Sequence, residues 1–110
     1  MPVVAHVRDL NGGCPAAEVQ VRLEARLDGR WQPVTTRRTN ETGWCEFGAA
    51  AISDRGTYRL VYETDPYFVG LGAAPAYPEV VVVFRVLDIS HHGHIMILVS
   101  PAGYTAYLGR

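Results

Sequence analysis

Lysine is missing from this chain: all ten basic residues among its 110 are arginine. No Schiff base can form on a lysine side chain, and amine chemistry is confined to the terminus. The two cysteines, Cys14 and Cys45, are too few for a disulfide scaffold and too far apart for a CxxC zinc or redox motif, so two reduced thiols are expected. No apolar run approaches the roughly 18 to 20 residues that a membrane span needs. Charge of either sign never accumulates. Eleven acidic and ten basic residues are scattered to a net charge of -1, which leaves no electrostatic footprint for a nucleic acid or a membrane surface. The opening MPVVAHVRD lacks the basic and apolar regions of a secretory signal, and the closing YLGR is neither a lipidation nor a peroxisomal signal, so a cytoplasmic address is expected.

What is present suffices for one core. Hydrophobic residues make up 48% and charged residues 19%, which fills the interior of a single domain, expected over residues 1–110. Almost every segment alternates apolar and polar residues. Val3, Ala5 and Val7 fall on one face of a first strand, with Val4, His6 and Arg8 on the other. A turn over 10–15 follows, then a strand over 18–26 with Val19, Val21 and Leu23 inward and Gln20, Arg22 and Glu24 outward. Asp28-Gly29 reads as a hairpin tip. The strand over 30–39 contains Pro33, which calls for an edge or a bulge. Residues 40–43 turn the chain into a short strand over 44–47, and 49–54 has room for one turn of helix. A strand over 57–63 comes next, and 65–78, with its glycines and prolines, reads as the longest irregular stretch. The run Val80 to Phe84 is so apolar that a strand over 79–87 buried on both faces is expected. Strands over 91–100 and 104–108 complete an all-β, two-sheet sandwich of about seven to eight strands with at most a short helix.

Three of the four histidines lie in His91-His92-Gly93-His94, and the fourth is His6. His92 and His94, two apart on a strand, share a face; with His6 they make a set of three that suits zinc, though the spacing has little specificity. Hydrogen-bonded histidines at a strand edge are the plainer reading. No GxSxG occurs, so a serine nucleophile is excluded.

The segments AHVRD, GCPAAEVQVRLE, TNETGW, Tyr67-Phe68, YPEVVVVF, HGHIMILVSPAGY and TAYLG, in that order over nearly the whole chain, resemble the transthyretin-like family, on its 5-hydroxyisourate hydrolase side. The resemblance implies a prealbumin-type sandwich and a homotetramer, a dimer of dimers, with a small-molecule substrate in its central channel. Neither cofactor nor metal is expected. It places the catalytic histidines on His6 and His94 and the companion histidine on His92. By strand alternation the channel face should hold His6 and Arg8, Trp44 and Glu46, and His94, Met96 and Leu98, and the resemblance implies that the tail adds Tyr107 and Arg110. Cys45 should then point away.

Several positions depart from the family pattern. Trp44 stands where the resemblance implies an arginine, and Leu108 and Arg110 where the family tail has arginine and serine. Gly93 replaces an aromatic and Met96 a proline. Each lost charged hydrogen bond is worth about 1.5–3 kcal/mol, so two losses cost roughly a hundredfold in rate unless offset. Arg8 and Arg110 are the candidate replacements, while Trp44, Met96 and Leu98 make the wall flatter and more apolar. The leading expectation is therefore a divergent enzyme that uses His6 and His94 as an acid/base pair to open or close a ring in a different small cyclic or aromatic substrate, in specialised metabolism. The alternatives are a 5-hydroxyisourate hydrolase of purine catabolism and a non-catalytic carrier.

Overall fold

The computed structural model describes residues 3–90 and 93–109. Among the described residues nine strands form two sheets: β1 (Val3–Asp9), β2 (Cys14–Pro15), β3 (Gln20–Leu27), β4 (Arg30–Arg38), β5 (Trp44–Phe47), β6 (Gly56–Glu63), β7 (Val80–Val86), β8 (Gly93–Ser100) and β9 (Gly103–Gly109). A 3₁₀ turn covers Ala49–Ala51 and a six-residue helix, α1, covers Asp65–Gly70. The first sheet runs β2-β1-β8-β9, with β5 also on β1; the second runs β4-β3-β6-β7. Among the described pairs only β1 and β8 are parallel, with Val4 opposite His94, His6 opposite Met96 and Arg8 opposite Leu98.

The alternation in β1 has the effect its pattern implies. Val3, Ala5 and Val7 are fully buried and meet Ile95, Ile97 and Val99 of β8 on the inner face of the first sheet. Val21 and Leu23 of β3 and Leu60 and Tyr62 of β6 supply the facing layer. Each such aliphatic side chain, fully buried, is worth about 1.5–3 kcal/mol. Cys45 turns into this core, and its burial pushes the thiol up to about 11. Cys14 is exposed, and both cysteines are free. Pro33 sits in β4, an edge strand, and the register with β3 slips there, so edge and bulge occur together.

Two readings from the residues need correction. The β7 run is not buried on both faces: Val83 is 57% exposed, because β7 is the outermost strand of its sheet and only its inner side packs. The stretch 65–78 is not wholly irregular. Asp65-Pro66 starts α1, Phe68 anchors it in the core, and the Tyr67 hydroxyl donates to Asp9 Oδ2 at 2.8 Å. Glu24 keeps the outward place its alternation implies yet is only 8% exposed, because Arg59 and Arg22 close over it at 2.6 and 3.0 Å. Burial alone would raise its pKa, but the hydrogen bonds from Arg59 and Arg22 outweigh that and hold it below the usual carboxylate value. The strand read over 91–100 is described from Gly93 onward, and His91 and His92 lie outside the described residues.

The turn before β5 admits one residue type at its last position. Gly43 has φ +80° and lies against β1, where an added Cβ would run into the Val7 carbonyl oxygen and crowd Pro15. That carbonyl already accepts from Ala16 N at 3.0 Å, and Val7 N donates to Gly43 O at 2.9 Å. Gly43→Ala is therefore expected to destabilise the protein by about 2–4 kcal/mol in urea unfolding, from left-handed strain plus the clash. A loss under about 0.5 kcal/mol, the scale of an ordinary surface change, would contradict it.

Candidate active site

Strand register assembles a grid of side chains on the outer face of the first sheet. One row holds Trp44 of β5, His6 of β1, Met96 of β8 and Tyr107 of β9; the next holds Glu46, Val4, His94 and Gly109. Arg8, Leu98 and Thr105 form a third. His6 and His94 are thus diagonal neighbours on adjacent parallel strands, with Cα atoms roughly 8 Å apart from strand spacing and rise alone.

His6 is held on its edge and on its face. Its Nε2 lies 3.2 Å from the Thr42 carbonyl oxygen. A carbonyl only accepts, so Nε2 carries the proton and Nδ1 keeps its lone pair. The Trp44 indole lies flat on the imidazole, with centroids 4.1 Å apart and planes 9° from parallel, and its other contact is the His94 ring at 4.8 Å and 36°. These contacts leave His6 only 6% exposed. Burial lowers its pKa below 6.5; the Thr42 hydrogen bond opposes the shift, and the charge of Arg8 and the neighbouring His94 add to it. Two ring nitrogens, His6 Nδ1 and His94 Nε2, are buried without a hydrogen-bond partner among the described residues.

The turn at 40–44 aims both of these contacts. Asn40 Oδ1 accepts from Thr42 N at 3.0 Å, Thr42 Oγ1 at 2.8 Å and Trp44 N at 3.0 Å, while Asn40 N donates to Trp44 O at 2.8 Å. Reading for ionisable side chains misses Asn40 and the Thr42 carbonyl, since neither titrates. The available signal was an Asn three residues ahead of a Gly, the composition of an Asx turn. Gly109 was missed as well: an added Cβ would sit 3.3 Å from His94 Nδ1, so β9 passes close over that ring.

The other candidates are distributed unevenly. Arg8 is half-buried two residues along β1 from His6, and Glu46 is exposed and makes no hydrogen bond among the described residues. The Tyr107 hydroxyl meets Met96 Sδ at 3.2 Å, and Leu98 is half-buried beside Arg8. Leu108 is exposed. His92 and Arg110 lie outside the described residues. A cleft of about 1180 Å³ takes in Trp44, Glu46 and His94 together with Phe84 of β7 and Tyr107 and Leu108 of β9. No helix among the described residues is long and apolar enough to cross a membrane.

A fold of two four-to-five-stranded sheets with paired histidines on one outer face is that of a known class, and comparison agrees. Residues 3–109 match the family described as the HIUase/Transthyretin family, and the chain belongs to it. It is 36% identical over 110 residues to a probable 5-hydroxyisourate hydrolase of Caenorhabditis elegans, covering 97% of this chain and 80% of that one. A 5-hydroxyisourate hydrolase of Mus musculus is 35% identical over 113 residues, covering 98% and 94%. The solved structure of Klebsiella pneumoniae 5-hydroxyisourate hydrolase superposes with a TM-score of 0.87 at 27% identity, covering 99% of this chain and 98% of that one.

These likenesses overturn the leading expectation of a divergent enzyme of specialised metabolism. Curated relatives from nematode, mammal and bacterium carry one and the same hydrolase name over nearly the whole chain. The expectation gave too much weight to the two missing arginines. At one of those positions the structure has Trp44 in contact with both histidines and at the border of the cleft.

The state of His6 makes a stability prediction with a definite sign. The unfolded chain takes up a proton at 6.5 and the folded chain only at lower pH. Stability therefore falls as pH drops through 6.5 and stops falling below the folded value. Urea unfolding at about pH 7.5 and about pH 5 should show a loss that His6→Gln, which keeps a donor for Thr42, makes smaller. An equal loss in the variant would mean that His6 is not the group responsible.

Proposed function

We propose that this protein is a 5-hydroxyisourate hydrolase of purine catabolism, opening the ring of its substrate by adding water across a cyclic amide bond. The observation that carries the reading is the pair of buried, unpartnered imidazole nitrogens, His6 Nδ1 and His94 Nε2, on one sheet face. A buried polar atom without a partner costs about 1–3 kcal/mol, a penalty that a substrate or an ordered water would remove. The names of the relatives support the substrate.

In this reading the lone pair on His6 Nδ1 takes a proton from water, whose oxygen bonds to the ring acyl carbon. The ring C–N bond then breaks, and His94 gives a proton to the departing nitrogen. Transfer of the proton held on His6 back to His94 resets both rings, so one water is consumed per turnover. A lowered His6 pKa suits the base, which stays neutral at pH 7. Arg8 supplies the cation for the carbonyl oxygens of the substrate, in place of the arginines that Trp44 and Leu108 have displaced. Met96, Leu98 and Tyr107 form the apolar wall, and Glu46 borders it. The proposal includes a cytoplasmic homotetramer, with these faces lining its channel. The exposed apolar side chains of β7 and β9, such as Val83 and Leu108, support burial against further copies.

Rapid-mixing measurement of 5-hydroxyisourate decay tests the reading. The purified protein should accelerate decay strongly, and His6→Gln and His94→Gln should each abolish the acceleration while leaving the fold intact. Arg8→Ala should lose roughly ten- to a hundredfold, as expected for one charged hydrogen bond. Decay no faster than in buffer would end the proposal. Full activity in Arg8→Ala would remove only the role given to that residue.

A further inference from the structure

His6 must present one nitrogen and one ring plane if it is to act as a base, and a side chain on a strand is free to rotate about two bonds. Its hydrogen bond to the Thr42 carbonyl, at 3.2 Å, fixes one edge but allows the ring to rock about that contact. What limits rocking is the indole of Trp44, stacked 4.1 Å away with its plane nearly parallel to the imidazole. Both restraints come from one five-residue turn. Asn40 clamps the main chain of Trp44 on both its N–H and its carbonyl and caps Thr42 with the same Oδ1. Gly43 seats that turn against β1.

We propose that Trp44 is a positioning residue: its indole, braced against His94, holds the His6 ring in the plane where Nε2–H points at Thr42 and Nδ1 at the substrate side. The inference rests on the reading above for what the base is used for, but the tautomer and orientation it asserts belong to the resting protein. Trp44 touches both rings, so its indole sets the orientation of each relative to the other. The groups facing His6 from the strands around it are Arg8 on β1, Glu46 on β5, His94 on β8 and Tyr107 on β9. Of these, Arg8 and His94 lie close enough to act on its charge.

The test is a nitrogen-15 NMR titration of histidine-labelled protein without substrate, comparing wild type with Trp44→Leu and Trp44→Phe. Wild type should show the Nε2–H tautomer alone and a His6 midpoint below 6.5. Trp44→Leu should show both tautomers in exchange and a midpoint moved up toward 6.5, while Trp44→Phe, which restores a ring face, should resemble wild type. In turnover assays Trp44→Leu should lower kcat roughly tenfold or more with KM changed less than about threefold, the pattern of a misplaced group rather than a lost binding contact. Should Trp44→Leu fail to fold, Trp44→Thr, whose β-branched side chain suits a strand, makes the same comparison. A single Nε2–H tautomer and an unmoved midpoint in a folded variant without the ring would overturn the proposal. Loss of the tautomer in a protein that leaves 5-hydroxyisourate untouched would keep Trp44 in this role and remove the hydrolase reading instead.

Discussion

The parallel pairing of β1 with β8 is the constraint on which the rest of the structure depends. It joins residues more than eighty positions apart, and its register sets which side chains become neighbours. Because the side-chain period of a strand is two, a slip of one residue would carry His94 into the core and Ile95 onto the outer face. The inner face resists that slip, since Val3, Ala5, Val7, Ile95, Ile97 and Val99 all lose their burial together. Core packing on one side of the sheet thus fixes the chemistry on the other. The remaining edge of β1 is divided between β2 at one end and β5 at the other, and the turn that seats Trp44 enters through that division.

The protein buries titratable groups in two opposite ways. Glu24 is kept ionised by two arginines that reach it from β3 and β6, so its charge is matched where it lies. His6 has no carboxylate against it among the described residues; its neighbours are an indole, a carbonyl and a second imidazole. Burial there favours the neutral ring. The contrast separates a charge held for structure from a ring kept uncharged and incompletely bonded. A buried nitrogen without a partner is tolerated in few places, and here two of them occupy the same face.

Much of the fold was legible because alternation in β1, β3 and β6 is strong and period two admits one inner face. The histidines could be placed on the outer face by the same rule. Pairing was another matter: nothing local in VVAHVRD specifies a parallel partner near residue 95, because the choice is made by the whole sheet. The apolar run in β7 looked buried twice over, yet edge position is a tertiary property that composition does not carry. The shielding of outward-facing Glu24 could not be read locally, because Arg59, which neutralises it, lies on a neighbouring strand, 35 residues away in sequence. At the site, Trp44 was read as a wall for a ligand, and its contact with His6 was invisible since it depends on a cross-strand pair. The main-chain carbonyl of Thr42 has no signature at all in residue type.

The partition of strands between the sheets also orders the assembly of the chain. β3, β4, β6 and β7 pair antiparallel, β3 and β4 through a two-residue hairpin turn, and form a sheet complete by residue 86. β1, although made early, has only β2 and β5 to pair with until residues 93–109 exist. Pairing across so long a loop is slow, because the entropy of closing it is lost before any contact is gained. The second sheet can therefore form before the first, and β1 has no partner on its β8 side until residues 93–100 are made. The two imidazoles become neighbours only when β8 pairs with β1, so the site does not exist without the contact that closes the first sheet.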